Sequence, residues 1–211
     1  MALGIEASRA TFLKAAAFVL LAFAGLGSAK AEPPPTERPA LPTGEEFTKL
    51  RMAYAKQENF NPMWKVEPKR QELIKAYQEK DFTKFATLSK VWLDQVPVDA
   101  DIHYVRAQAL TNLGKWSEAA HHWYCFYGLI NSIAASGDGK TPKTAFKVIS
   151  VSEEYAFLNE IGAELIQQAL KPPCDEMRVK LRDGTEATFY FDVSISFEAL
   201  QRQMEKKDSK P

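Results

Sequence analysis

Acidic side chains that could do chemistry together are spaced along one part of the chain. Asp138 precedes Glu153, Glu154 and the phenol of Tyr155. Two carboxyl groups in one site can act as acid and base when burial separates their pKa values. With Lys140, these residues are candidates for a ligand-binding site. The favoured interpretation of Asp138 is structural, because a carboxylate beside glycines accepts hydrogen bonds from turn amides.

The segment around Asp138 superficially resembles a phosphate-binding loop. A P-loop follows a strand, has Gly, four residues and Gly-Lys-Ser/Thr, and continues into a helix. Gly137–Thr141 instead follows a helical pattern and meets Pro142. The Asp-rich spacing of a calcium loop is also absent. We therefore predict a turn here.

Histidine and cysteine are scarce. His121 and His122 are adjacent, so on a helix they point about 100° apart and do not face one metal ion. We predict no metal site. His103 is expected either to pack half-buried or to line a groove. Cys125 and Cys174 have two open alternatives, a disulfide formed after export or two separate thiols.

Sequence motifs for nucleophilic, zinc-dependent or dinucleotide-dependent catalysis are missing. The chain has no Gly-x-Ser-x-Gly, His-Glu-x-x-His or Gly-x-Gly-x-x-Gly. We therefore assign no catalytic residue and no cofactor. Trp64, beside Pro62 in an expected loop, is either an exposed anchor for a protein partner or a lid over the core.

The first 31 residues have the features of a signal peptide. Arg9 and Lys14 precede a run of thirteen small and apolar residues, and Ala29 and Ala31 supply a small-residue cleavage site. The run is shorter than the roughly 20 residues of a membrane-spanning helix. We expect cleavage after Ala31, a periplasmic or secreted protein and no membrane anchor. General secretion is favoured over twin-arginine export, because Ala10 replaces the second arginine.

The amino-acid composition argues against a nucleic-acid-binding protein and against a disordered chain. Lys plus Arg and Asp plus Glu both number 27, and this balance argues against a nucleic-acid partner. Hydrophobic residues make up 45% of the chain, which is typical of a folded domain.

Five prolines within residues 32–43 predict an extended linker. We expect a frayed tail over residues 205–211.

A repeat with a period of 34 residues organises the middle of the chain. The stretch from Lys69 aligns with the stretch from His103, so that Phe82 corresponds to Trp116 and Lys80 to Gly114. This period is typical of the tetratricopeptide helix-turn-helix repeat. Together with a first helix expected over 44–57, the repeats predict a helical region over residues 44–135.

Hydrophobic periodicity changes after residue 135. The residues over 145–149 predict a short strand, and Ser150 could cap a helix over 152–158. Asp183-Gly184 between two alternating runs predicts a β-hairpin, and Ser196 could cap a last helix. Residues 161–169 fit either a helix or a strand. We therefore predict an α+β fold with tetratricopeptide-like hairpins followed by a small antiparallel sheet and short helices over residues 136–204.

Several segments resemble the family called domain of unknown function 4919. The resemblance is carried by residues 136–146 and 148–155, and by similar segments at 50–54, 61–62 and 188–192. It spans about residues 44–202. It implies helical repeats joined to a small β unit in an exported protein, with no catalytic residue to transfer.

Two functions are compatible with these observations. We expect a non-enzymatic protein-interaction or scaffold module that holds a protein or peptide partner on a groove of the helices. The alternative is a secreted hydrolase or hydrolase inhibitor that uses Asp138, Glu153 and Glu154. The oligomeric state has no signal in the sequence.

Overall fold

The computed structural model describes residues 41–208. The predicted signal peptide, most of the proline-rich linker and the end of the tail lie outside these residues. Within residues 41–208, no helix is long and apolar enough to cross a membrane.

The described residues form seven α-helices and four strands, which confirms the predicted α+β class. The helices are α1 Glu45–Ala55, α2 Pro68–Gln78, α3 Phe82–Gln95, α4 Ala100–Asn112, α5 Trp116–Ala134, α6 Val151–Ile161 and α7 Ser194–Asp208. The strands are β1 Phe146–Lys147, β2 Glu164–Lys171, β3 Cys174–Lys180 and β4 Glu186–Asp192. Short 3₁₀ helices cover Trp64–Val66 and Pro142–Thr144.

Helices α2 to α5 form two consecutive helical hairpins in the register of the 34-residue repeat. Phe82 and Trp116 are the first residues of α3 and α5. Lys80 and Gly114 lie in the preceding turns with φ of 60° and 71°. Lys80 thus adopts the left-handed conformation that glycine adopts easily, so the two turns are equivalent in backbone. The tetratricopeptide interpretation of these hairpins stays a prediction.

Helix α1 covers most of the range of 44–57 expected from the sequence. Its N-cap is Gly44, with φ of 88° and no side-chain cap hydrogen bond. A Cβ on Gly44 would lie 2.8 Å from the backbone nitrogen of Ser132 on α5. Close approach of the two backbones therefore requires glycine at this position.

The sheet has the strand order β1-β4-β3-β2. The predicted hairpin is confirmed, with β3 and β4 antiparallel and Gly184 at φ of 84° in the turn. The sheet is nevertheless mixed rather than purely antiparallel, because β1 pairs in parallel with β4. Residues 161–169, ambiguous in the sequence, include the end of α6 and most of β2.

The starts of the last two helices differ in how well the sequence predicts them. Ser150 caps α6 as predicted, with its Oγ accepting a hydrogen bond from the Glu153 amide at 3.3 Å. Helix α7 begins at Ser194, so Ser196 lies inside the helix rather than at its cap.

One hydrophobic core joins the helices to the sheet. It includes Phe47 of α1, Phe85 of α3, Ile130 of α5 and Phe191 of β4. Apolar burial of this extent is the main source of stability in such a domain. The division into regions 44–135 and 136–204 stays a prediction.

Candidate functional site

A cleft of about 400 Å³ opens where the sheet meets the starts of α6 and α7. This volume lies within the range of small-ligand sites. The apolar lining residues come from five segments: Pro62, Met63, Val151, Leu170, Val193, Phe197 and Leu200. The polar lining residues are Gln168, Asp175 and Ser196.

Asp175 is the charged residue of the cleft lining. It is held by a hydrogen-bonded chain in which the Tyr155 hydroxyl donates to Gln168 Oε1 at 2.8 Å and Gln168 Nε2 donates to Asp175 Oδ2 at 2.6 Å. The second oxygen, Oδ1, is buried without a protein hydrogen-bond partner. The hydrogen bond from Gln168 therefore fixes the orientation of the Asp175 carboxylate.

Glu154 on α6 is a fully buried carboxyl group beside Asp175. Burial, followed by the negative charge of Asp175, raises the pKa of Glu154 to about 9. Neither Glu154 oxygen accepts a hydrogen bond from the described protein. At neutral pH the group is protonated, and a protonated carboxyl donates a hydrogen bond to a neighbouring carboxylate. Glu154 and Asp175 thus form a carboxyl–carboxylate pair.

Other buried polar atoms without partners belong to the cleft or to residues next in sequence to its lining. Ser196 Oγ is in the lining itself. Ser152 Oγ and Trp64 Nε1 belong to the residues that follow Val151 and Met63. Native proteins leave few buried polar groups unpaired, and these atoms are sealed from solvent by the surrounding side chains.

Glu153 does not share the environment of Glu154. Arg51 donates to both Glu153 oxygens, from Nε at 2.8 Å and from a terminal nitrogen at 2.5 Å. The Ile149 amide donates to the same carboxylate at 2.8 Å. Arg51 also donates to Ser132 Oγ and to the Lys147 carbonyl oxygen, each at 2.8 Å. The predicted acid Glu153 is therefore part of a buried ion pair that ties α6 to α1, α5 and β1.

Asp138 and Lys140 lie in a turn, as the structural interpretation of Asp138 predicts. Asp138 Oδ1 accepts a hydrogen bond from the Lys140 amide at 3.0 Å. Hydrogen bonding, first to Thr144 and then to Lys140, lowers the pKa of Asp138. Neither residue lines the cleft.

Trp64 is buried, with 1% of its surface exposed, so the prediction of an exposed anchor is wrong. Its ring meets Tyr54 and Phe60 edge-on, at centroid distances of 6.0 and 6.4 Å. These aromatic contacts correspond to the other predicted role, a lid over the core.

His103 is buried rather than half-buried, in a chain of hydrogen bonds between α4 and α5. Arg106 Nε donates to His122 Nε2 at 2.8 Å, which places the His122 proton on Nδ1. That nitrogen donates to His103 Nδ1 at 2.9 Å, and His103 Nε2 donates to the Pro97 carbonyl at 3.1 Å. Burial lowers the pKa of His103 to about 4. His103 therefore packs and does not present a free groove surface.

The two cysteines are separate thiols, so the disulfide alternative is wrong. Cys125 lies on α5 with Sγ 3.6 Å from His121 Nε2, while Cys174 begins β3 with Sγ 3.8 Å from the Pro142 carbonyl oxygen. Burial raises the pKa of Cys125 to about 11, which opposes thiolate chemistry. Across residues 41–208, no group of three or more His, Cys, Asp or Glu could hold a metal ion.

The sequence analysis missed Gln168, Asp175 and Ser196 as site residues. Asp175 follows a cysteine and two prolines, ahead of the alternating run from Met177 that indicated the strand. The sequence does contain a signal for Asp175. If the strand that begins at Met177 is extended towards its N-terminus, Asp175 lies on the same face as Met177 and Val179, because residues two apart on a strand share a face. A carboxylate on the buried face of a strand needs a partner or a function.

The sequence of the described fold matches one protein family. Residues 36–202 match the family described as Domain of unknown function (DUF4919). The match covers well over half of the sequence, so the chain belongs to this family. No curated protein and no solved structure matches the chain.

Proposed function

We propose that the chain is an exported, non-enzymatic protein-interaction module whose cleft receives a side chain of a partner protein. Export is supported by the signal-peptide pattern of residues 1–31. Binding at the cleft is supported by one observation above all. Four large apolar side chains remain exposed around a single concavity, namely Met63, Val151, Leu170 and Phe197.

Exposed apolar side chains grouped around a cleft are typical of interaction sites, whereas isolated ones are common on any surface. Phe197 is 45% exposed at the cleft. An aromatic residue in such a position can bury most of its remaining surface against a partner and act as a hot spot. The proposal therefore moves the partner site from the helical hairpins to the junction of the sheet with α6 and α7.

A second cavity, of about 520 Å³, lies between the end of α1 and α7. Its rim carries several charged side chains, and Lys206 Nζ there lies 3.1 Å from Glu58 Oε1. Charges that are already paired contribute little to binding. The cleft around Phe197 is therefore the better candidate.

The proposal is tested with two substitutions on one helix. Phe197→Asp places a charge in the cleft, and Met204→Asp is the matched control, because Met204 is 67% exposed on α7 and outside the cleft lining. Proteins captured from an envelope extract by the unmodified chain are identified, and their affinity for both variants is measured. We expect Phe197→Asp to lose at least about tenfold in affinity while Met204→Asp retains it. Equal affinities for the two variants would contradict the proposal.

A hydrolase is the second candidate, and the pair of Glu154 and Asp175 favours it. One protonated carboxyl group beside a carboxylate that lines a cleft is an arrangement that general acid–base catalysis uses. Asp138 and Glu153 are engaged elsewhere and drop out of this candidate. General esterase, glycosidase and peptidase substrates test it against an Asp175→Asn variant. Turnover that depends on Asp175 would replace the binding proposal.

A further inference from the structure

The two edges of the sheet differ in how their backbone groups are paired. The outer side of β4 is covered, because β1 pairs with it and the Tyr190 amide donates a hydrogen bond to the Gly139 carbonyl at 2.9 Å. Strand β2 forms the other edge and pairs with β3 alone. Within residues 41–208, the backbone of β2 makes no hydrogen bond to another main-chain group beyond its pairing with β3. Alternate residues of β2 therefore direct a backbone N–H and C=O outwards without a main-chain partner.

The open edge lacks several features that protect such edges in other proteins. Exposed edge strands are usually blocked by a covering helix or loop, by proline or by charged side chains. Six of the eight residues of β2 are exposed, so no described helix or loop covers the strand. Residues 165–170 include neither a proline nor a charge, and Ile166 and Leu170 are 41% and 52% exposed. Such an edge is a template for pairing with a further strand.

The regular part of this edge forms one wall of the cleft. A β-bulge between Leu165 and Gln167 interrupts the ladder, which leaves residues 167–171 as the regular part. Gln168 and Leu170 both line the cleft, and residues two apart on a strand share a face. A strand paired with this edge would continue the pleat of the sheet, so its alternate side chains would point into the same cleft.

A partner protein fits this edge better than the two other candidates, the linker and a second copy of the chain. Residues 32–43 contain five prolines, which have no amide hydrogen to donate to a ladder. In a second copy, Gln168 and Leu170 line that copy's own cleft. Pairing of two β2 strands would therefore leave both clefts unfilled.

We infer that the partner protein binds as an extended segment that adds a fifth strand to the sheet along residues 167–171 of β2. Its main chain pairs with the outward backbone groups of β2, and alternate apolar side chains enter the cleft beside Leu170 and Phe197. Strand addition of this kind takes affinity from main-chain hydrogen bonds and specificity from pockets for alternate side chains. The inference rests on the proposed function, since it specifies the conformation in which the partner occupies the same cleft.

Three versions of one capped peptide test the inference on the purified full chain. The peptide is acetyl-Thr-Leu-Ser-Leu-Thr N-methylamide, which has apolar side chains two residues apart. One isomer is N-methylated at both leucines, and the other is N-methylated at the serine and the last threonine. An added strand directs one alternate set of amides towards β2 and the other set away from it. One isomer should therefore bind about tenfold more weakly than the unmodified peptide, because it loses two hydrogen bonds, and the other should bind equally well.

Amide hydrogen exchange locates the added strand on the chain. Binding of the unmodified peptide should slow the exchange of alternate amides within residues 167–171, by about tenfold when nine-tenths of the chain is occupied. The Tyr190 amide already donates to Gly139, so it is the internal reference and should be unchanged. Phe197→Asp should weaken peptide binding, whereas Met204→Asp, outside the cleft lining, should retain it.

The outcomes separate this inference from the proposed function. Equal binding of the two isomers, lost in Phe197→Asp, overturns strand addition and leaves the cleft as an apolar binding site. Failure of all three peptides to bind overturns strand addition, while the affinities of captured partners for Phe197→Asp and Met204→Asp still decide the proposed function. Protection of alternate amides without peptide, increasing with the concentration of the chain, would assign the edge to a second copy and overturn the inference.

Discussion

Replacing Glu154 with glutamine should stabilise the protein at alkaline pH and have little effect at acidic pH. Glu154 is fully buried, and burial followed by the Asp175 charge raises its pKa from 4.5 to about 9. Between these two values the folded chain holds a proton that the unfolded chain has released. The stability that comes from neutral Glu154 is therefore complete below pH 4.5 and is lost as the pH rises towards 9.

The size of this effect follows from the pKa difference. Each pH unit within the window reduces the free energy of unfolding by about 1.4 kcal/mol. From about pH 5 to about pH 7 the loss is about 3 kcal/mol, a large share of the stability of an ordinary domain. Glutamine has nearly the same size and does not ionise, so the Glu154→Gln variant should lack this slope.

Urea denaturation followed by tryptophan fluorescence measures the difference. The free energy of unfolding of the variant minus that of the unmodified chain should increase across the window. Slopes from other titrating groups are present in both proteins and cancel. Glu164→Gln, at an exposed position on β2, is the control and should show a flat difference. A flat difference for Glu154→Gln as well would refute the burial argument.

Three further predictions concern stability. Arg51→Met should lower the free energy of unfolding by about 3–5 kcal/mol, because Glu153 is left as a buried unpaired charge; a loss below 1 kcal/mol in urea denaturation would contradict this. Lys80→Gly should raise the free energy of unfolding by up to about 1 kcal/mol, because glycine adopts the positive φ at this position without strain. A lower free energy of unfolding in the variant would argue against strain at Lys80. The lowered pKa of His103 means that the unfolded chain takes up a proton below pH 6.5 that the folded chain takes up only near pH 4. The free energy of unfolding should therefore fall by about 3 kcal/mol as the pH drops from 6.5 to about 4. His103→Gln should remove this decrease. Parallel pH curves for His103→Gln and the unmodified chain would contradict that interpretation.

Local signals in the sequence predicted most elements of the fold. The 34-residue repeat predicted that Phe82 and Trp116 occupy equivalent positions, and both are the first residues of helices. Asp183-Gly184 predicted the β-hairpin, because the residues of a tight turn determine its geometry locally. The parallel pairing of β1 with β4 was missed, since Phe146 and Phe191 meet across 45 residues of sequence. Pairing at that range has no short-range pattern.

The candidate site depended on long-range contacts that the sequence does not reveal. Glu153 and Glu154 are neighbours of the same type, yet one meets Arg51 and the other meets Asp175. Adjacent residues on a helix point about 100° apart, so their environments differ even though their sequence context is shared. The burial of Trp64 was undecided for a similar reason, because it depends on Tyr54 and Phe60 folding over the same loop.

A site-specific cross-link tests the central proposal, a partner bound in the cleft, most directly. A photoreactive amino acid is introduced in living cells at Leu170, which lines the cleft, or at Ile166, which is exposed on the same strand but outside the lining. We predict a discrete cross-linked partner from position 170 that is weak or absent from position 166 and disappears when Phe197→Asp is combined with it. Equal cross-linking from both positions, or none from position 170, would contradict the account.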